Sequence, residues 1–318
     1  MLRPVVVGLD GSRESLAAAD WAAGEALRRG LPLRLVHAWV GLSPEASRLP
    51  ELEAPRHWAR RILRTALDQV EERHPQVRTS AEQIALPAVQ ALEERHPQVR
   101  TSAEQIALPA VQALVEAAAE AELLVLGSRA FGGFGGYLAG SVALATVARA
   151  TRPVVLVRAD RTPEDEHLPD AAGLPSRRAP YRDVVAGVDV SRPCEELLAF
   201  SFESAALRNA PLRVVHAWHA PFAPPPAAAT TGAAARGAAE RALADALRPW
   251  HEKFPNVRVR TVVADARPAQ HLPQAARDAC LLVVGRRIRP TRLGTHTGPV
   301  AHAAMHRARC PVAVVPHE

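Results

Sequence analysis

The chain carries one plan twice. VVVGLDGS at Val5–Ser12 returns as VVAGVDVS at Val184–Ser191, and LRLVHAW at Leu33–Trp39 returns as LRVVHAW at Leu212–Trp218. Further along, LLVLGSR at Leu123–Arg129 matches LLVVGRR at Leu281–Arg287, and RPVVLV at Arg152–Val157 matches CPVAVV at Cys310–Val315. A chain built this way folds as two similar domains in tandem, and its 318 residues suffice for two separate cores.

The spacing between matching segments drops by 21 after the second pair, so the first half holds 21 extra residues. Their source is visible: EERHPQVRTSAEQIALPAVQAL, Glu71–Leu92, is repeated without a change as Glu93–Leu114. Such identity marks a recent duplication or an error in assembling the sequence. Each copy holds a strand-like stretch, VRTSAEQIAL, so the two compete for one place in a sheet. The second copy is expected to win, because Pro109–Glu120 continues from it as a helix straight to Leu123. Looping out the first copy costs on the order of 1 kcal/mol or less, since closure entropy grows logarithmically with length. The domains are then 1–159 and 181–318. The segment 160–180 between them is rich in proline and charge and reads as a linker.

Within each half, short Val/Leu/Ile runs alternate with alanine-rich amphipathic segments such as Ser12–Arg29 and Arg56–Glu72. Continuously apolar strands separated by helices indicate an α/β fold, a parallel sheet of about five strands per domain with helices on both faces. Ligands of such sheets bind beyond the carboxyl ends of the strands, where Asp10 and the loop after Gly127 lie.

Charge and cysteine content narrow the function. The net charge of +6 invites a nucleic-acid reading, but 38 of the 39 basic residues are arginine, Lys253 being the one lysine, and no basic run interleaves with aromatics. No nucleic-acid partner is expected. Cys194, Cys280 and Cys310 are far apart and odd in number, which argues against a disulfide framework or a cysteine zinc site. No apolar run reaches the length of a membrane span, so the expected location is the cytoplasm.

The chemistry is concentrated in LLVLGSRAFGGFGGYLAGS, Leu123–Ser141. A strand runs into a glycine-rich loop that ends on a Gly-Ser pair starting a helix, an arrangement that points backbone N–H groups, a helix dipole and a hydroxyl at an anion. Asp10 taken alone fits a turn or helix N-cap as well as a ligand contact. Arg129 fits a phosphate partner or a solvated cation. His302 and His306 stand four apart on a helix, but no third ligand converges, so no metal site is expected. Trp39 and Trp218 read as strand-end packing groups. No Walker lysine motif is present, and no general base can be named.

Gly127, two residues, Ala130, nine residues and Gly140-Ser141 resemble the G-x2-G-x9-G-[S/T] motif of the universal stress protein family, accompanied by the first-strand Asp10 and the strand-two HAW. The resemblance covers nearly the whole chain as a tandem member. It implies a Rossmann-like fold of the adenine nucleotide alpha hydrolase type and ATP, with or without Mg, as a bound ligand. Carried over residue by residue, it places Leu9, Asp10, Ala38 and Leu126 around adenine and ribose. It places Gly127, Ala130, Gly140, Ser141 and Val142 around the phosphates, where Arg129, by its own charge rather than by the resemblance, would stand in for a Walker lysine. Ala130 replaces the family glycine; if that position needs positive φ, the Cβ costs about 1–2 kcal/mol, a weakening of about ten- to thirtyfold. Gly132, Gly133, Gly135 and Gly136 would let the loop adjust.

The second half departs further. Its weaker site would use Asp189, Ala217, Gly285, Arg286 and Gly298, with Ile288 replacing a glycine and Pro299 replacing Ser or Thr. Proline removes both the N–H and the hydroxyl where phosphate docks. The expectation is a stress-response protein that binds ATP in its first domain as a regulatory ligand and does not turn it over. The second domain is mainly structural. The alternatives are a nucleotide-independent interaction module and a slow ATP hydrolase or Ser141-autophosphorylating protein. The resemblance also implies self-association through Pro153–Val157 and Pro311–Val315, between chains or as a pseudo-dimer within one.

Overall fold

The computed structural model describes residues 2–38, 62, 65–66, 68–70, 72–73, 77–80, 99–130, 137–138, 140–218, 227–288 and 297–318. Met1–Phe131 with Leu138–Asp160 form one compact unit, and Arg161–Glu318 lie in a second.

The first unit opens with β1 (Val5–Leu9), buried along its whole length, followed by α1 (Arg13–Arg29). Ser12 caps α1 by accepting from the Ser15 N–H at 3.2 Å, and Gly30 ends it in the left-handed region that glycine adopts without strain. The chain continues through β2 (Leu33–Ala38), β3 (Val77–Ser80), β4 (Val99–Ile106), α2 (Ala110–Ala119), β5 (Leu123–Ala130), β6 (Tyr137–Leu138), α3 (Ser141–Arg149) and β7 (Val154–Arg158). Among the described residues the parallel strands run β7-β5-β1-β2-β4-β3, with β6 paired to β5. After β1 the order proceeds outward to β2, and after β4 it returns to the other side of β1. Right-handed crossovers then place α1 on one face and α2 with α3 on the other, where those two pack together.

The duplicated segment ends differently from expectation. Val99–Ile106 does take the place beside β2, pairing Leu33 with Thr101 through Ala38 with Ile106, and α2 follows it directly. The first copy is not simply looped out, however. Its Val77–Ser80 pairs with its own repeat in register, Val77 with Val99 through Ser80 with Ser102, giving a sixth parallel strand where about five were expected. The copies are neighbours rather than competitors, because the outer edge of β4 offers backbone groups that an identical strand can meet. Of the rest of the first copy, Glu72 and Arg73 are helical, with Arg73 pairing with Asp20 at 3.3 Å, and the other residues lie outside the described ones.

The second unit contains β8 (Val184–Gly187), α4 (Glu195–Arg208), β9 (Leu212–Trp218), α5 (Ala227–Lys253), β10 (Val259–Asp265), α6 (Pro268–Ala275), β11 (Leu281–Arg287), α7 (Pro299–Arg307) and β12 (Val312–His317). Its five parallel strands run β10-β9-β8-β11-β12, the same reversal beside the first strand. The region read as a linker is an ordered strap. A 3₁₀ turn at Pro163–Glu166 is capped by Thr162, the His167 ring donates from Nδ1 to the Ala179 carbonyl at 2.6 Å, and that ring lies 3.9 Å from the Tyr181 ring.

Candidate functional site

In each unit the order reverses beside the first strand, the place where an open parallel sheet leaves a crevice at the carboxyl ends of its strands. Leu9 is the last residue of β1 and is buried, and Asp10 follows it into solvent. Its Oδ1 accepts from the Ser12 N–H at 2.9 Å and from the Ser12 hydroxyl, while Gly11 turns the chain at φ +80°. Asp10 therefore does serve the turn into α1, and it does so from the rim of the crevice. Asp189 repeats this in the second unit, accepting from the Ser191 N–H at 3.1 Å and its hydroxyl at 2.6 Å.

A residue type missed in the sequence ties the strand ends together. His37 Nδ1 lies 2.8 Å from the Leu9 carbonyl, and His216 Nδ1 lies 2.9 Å from the Val188 carbonyl. A carbonyl only accepts, so Nδ1 carries the proton in both rings. Each bond brackets the ends of the first two strands and sets the next residue, Ala38 or Ala217, beside the crevice. The signal was present, since the same histidine recurs in both HAW segments.

Gly127 sits where β5 touches the first turn of α1: a Cβ there would lie 2.4 Å from the Glu14 carbonyl carbon and 2.7 Å from the Ser15 nitrogen. Leu126 before it is buried, and Ser128 after it accepts from the buried Arg158 guanidinium. Ala130 closes β5. Among the described residues Asn209 alone of the non-glycines has positive φ, so the cost argued for a Cβ at Ala130 does not arise in this conformation. The side chains of Arg129 and Ala130, and Trp39, Gly132, Gly133, Gly135 and Gly136, lie outside the described residues. Gly140 begins α3 at φ −57° without a side-chain cap, and Ser141 and Val142 in the first turn are exposed. That first turn presents its N–H groups and dipole to an anion.

The second unit has a cavity of about 590 Å³ at the equivalent place, lined by Asp189, Ala217, Gly285, Arg287, Gly298 and His317 among others. Four of the five residues assigned to a second site thus converge on it. Arg286 does not line it. Successive strand side chains point to opposite faces, so Arg287 lines the cavity and Arg286 is buried, 7% exposed, where desolvation lowers its pKa. Trp218 lines the cavity too, which goes beyond strand-end packing. Gly298 stands at φ +76° and Pro299 opens α7.

Cys194 also lines this cavity, and burial first, then Asp189, Glu195 and Glu196, pushes its thiol up to about 11. A raised thiol pKa favours the folded state fully below the ordinary value, and the contribution is lost as pH climbs toward 11. At pH 8 about one thiol in a thousand is ionised, against about a quarter for a free cysteine. Iodoacetamide at pH 8 is therefore expected to label Cys194 at least a hundredfold more slowly than a free thiol in about the same buffer; peptide mass spectrometry reads the rate, and labelling as fast as in the urea-unfolded chain would refute the assignment.

Among the described residues no group of three or more His, Cys, Asp or Glu converges on one point. His302 and His306 pack against each other at 4.3 Å, and burial followed by the neighbouring His306 lowers the His302 pKa. No described helix is long and apolar enough to cross a membrane.

A doubly wound parallel α/β unit, used twice, with its crevice at the reversal of strand order, defines the class of this protein. The chain belongs to the universal stress protein family, whose model matches residues 1–158 and 180–316. The universal stress protein Rv2005c of Mycobacterium tuberculosis is 34% identical over 317 residues, 98% of this chain and 96% of that one. Rv2623 of the same organism is 31% identical over 316 residues, 98% and 95% of the two chains. In fold, the chain is similar to a solved universal stress protein from Archaeoglobus fulgidus, with a TM-score of 0.59 at 12% identity, covering 99% of this chain and 98% of that one.

Proposed function

We propose that the chain is a cytoplasmic stress-response protein that binds ATP, with or without Mg, in its first unit as a regulatory ligand and does not turn it over. The observation that carries this reading is the start of α3, where Gly140 leaves the helix without a side-chain cap and Ser141 and Val142 stand exposed. Phosphates would meet the N–H groups of this turn, Gly127, Arg129 and Ala130. Leu9, Asp10, Ala38 and Leu126 would border the base and ribose. In the second unit Pro299 removes an N–H from the corresponding turn, so that unit contributes chiefly structure. Self-association through the terminal strands, between chains or within one, belongs to the same reading and is read by sedimentation velocity.

Native mass spectrometry of gently purified protein, followed by ATP titration of wild type and Gly140→Asp, tests the reading. A Cβ at Gly140 meets nothing within 4 Å and its φ suits any residue, so the variant folds while setting a carboxylate against phosphate. The expected result is one ATP per chain and a loss of at least about tenfold in affinity, about 1.4 kcal/mol, in the variant. Absence of saturable binding in the wild type overturns the proposal, and two equivalents per chain overturn its restriction to the first unit.

A further inference from the structure

At the end of the second unit opposite the crevice, a smaller hollow of about 280 Å³ is lined by Gln270, Pro273, Gln274, Arg277, Arg307 and Arg309. Arg277 lies in the turn between α6 and β11, Arg307 closes α7, and Arg309 precedes β12. All three arginines therefore gather at the amino ends of the strands, where α6 packs on α7. All three are exposed, and among the described residues no ion pair engages any of them. None of the lining residues is acidic.

Three guanidiniums brought together without a counter-charge repel one another, and an oxyanion between them removes that repulsion. Guanidinium N–H groups are arranged in a planar fork that suits phosphate and carboxylate oxygens, and the side-chain amides of Gln270 and Gln274 add neutral donors at the same rim. The ends of α6 and α7 bring opposing partial negative charge, about half an elementary charge each, so roughly −1 stands against +3. The surplus is positive.

The first unit serves as an internal comparison. With β5 set on β11, the corresponding residues are Gln112, Val115, Glu116, Ala119, Arg149 and Thr151. This alignment is supported in three dimensions: Leu114 abuts Gly8 as Leu272 abuts Gly187. In the first unit Gln112 donates to Glu116 at 3.0 Å, and the set holds one arginine, Arg149, and one carboxylate, Glu116. Two further arginines and the loss of that carboxylate set the second unit apart, on a framework that the rest of the fold keeps the same. Packing alone required neither change, since Arg277, Arg307 and Arg309 are exposed.

We propose that this hollow is an anion site for a small, multiply charged phosphate compound, of which inorganic pyrophosphate is the probe. It lies at the other end of the strands from the nucleotide crevice and does not depend on the ATP reading. Isothermal titration of the full chain with sodium pyrophosphate is expected to show saturable binding that weakens as salt is raised. Arg277→Ala combined with Arg309→Thr installs the first unit's residues and should reduce affinity at least about thirtyfold, with an unchanged unfolding midpoint and unchanged ATP binding. Gly140→Asp, which acts at α3, should leave pyrophosphate binding intact. Two results overturn the proposal: no saturable binding by the wild type, or equal binding by the arginine double variant. Loss of pyrophosphate binding in Gly140→Asp would move the anion to α3 and overturn it as well.

Discussion

Gly127→Ala should destabilise the first unit by about 3 kcal/mol, whereas Gly285→Ala should cost the second unit less than about 1.5 kcal/mol. The two glycines hold equivalent places at the ends of β5 and β11, but what surrounds them differs. At Gly127 an added methyl would stand 2.4–2.7 Å from the backbone of Glu14 and Ser15 in the first turn of α1. That backbone is held by the Ser12 cap and by the Asp10 turn, so relief requires lifting the helix from the sheet. At Gly285 the nearest atoms belong to the His317 ring, at 2.5 Å, and to the end of Leu197, at 3.2 Å. A half-buried side chain can swing aside more easily than a backbone turn can move. The expected fall in melting temperature for Gly127→Ala is roughly 6–12 °C in a unit of this size. Calorimetry of both variants checks the contrast, and equal shifts would show that the close approach at α1 is not tight. A glycine proposed to meet phosphate thus has a packing duty that would keep it in place whether or not a ligand binds.

Phe202→Ala should cost the second unit about 3–5 kcal/mol, the range for removing a fully buried phenylalanine. Phe202 lies at the centre of an aromatic cluster, with ring centroids 5.9 Å from Trp250, 5.7 Å from Phe254 and 6.1 Å from the edge-on His251. Those partners stand at the end of α5, and this cluster anchors that helix to α4. The first unit has Ala23 at the matching place. Urea unfolding read by tryptophan fluorescence would show a lowered midpoint with little change in slope; a loss below about 1 kcal/mol would mean that α5 is held elsewhere.

Much of the fold was legible because parallel sheets leave a simple trace. Val5–Leu9, Leu123–Leu126 and Leu281–Val284 are continuously apolar, as strands covered on both faces must be, and the repeat showed the same segments recurring in the same succession along each half. The choice of Val99–Ile106 for the place beside β2 followed from covalent continuity with α2. What the linear chain did not reveal was pairing between the copies, because identical sequences offer no pattern that distinguishes competition from adjacency. Asp10, Gly127 and Gly140 were legible as a turn residue, a point of close approach and a helix start. The site was misjudged at Arg286, although the period of two along β11 separates it from Arg287. The bracket made by His37 and His216 left only the recurring histidine as its trace: it is a bond to a carbonyl of a different strand, and sequence spacing carries no distance across a sheet.

The in-register seam between β3 and β4 bears on how such proteins widen. Most insertions must find a surface that suits them. A segment copied whole from a strand arrives already complementary to the edge of its parent, because each backbone group meets the same group displaced by one strand, and Val, Arg, Thr and Ser meet themselves. The edge left by β3 is in turn a replica of the edge it covers. Duplication of a strand module therefore adds width in whole increments, without any side chain having to change first, and it leaves behind a second strand free to diverge while the first keeps the sheet closed around the crevice.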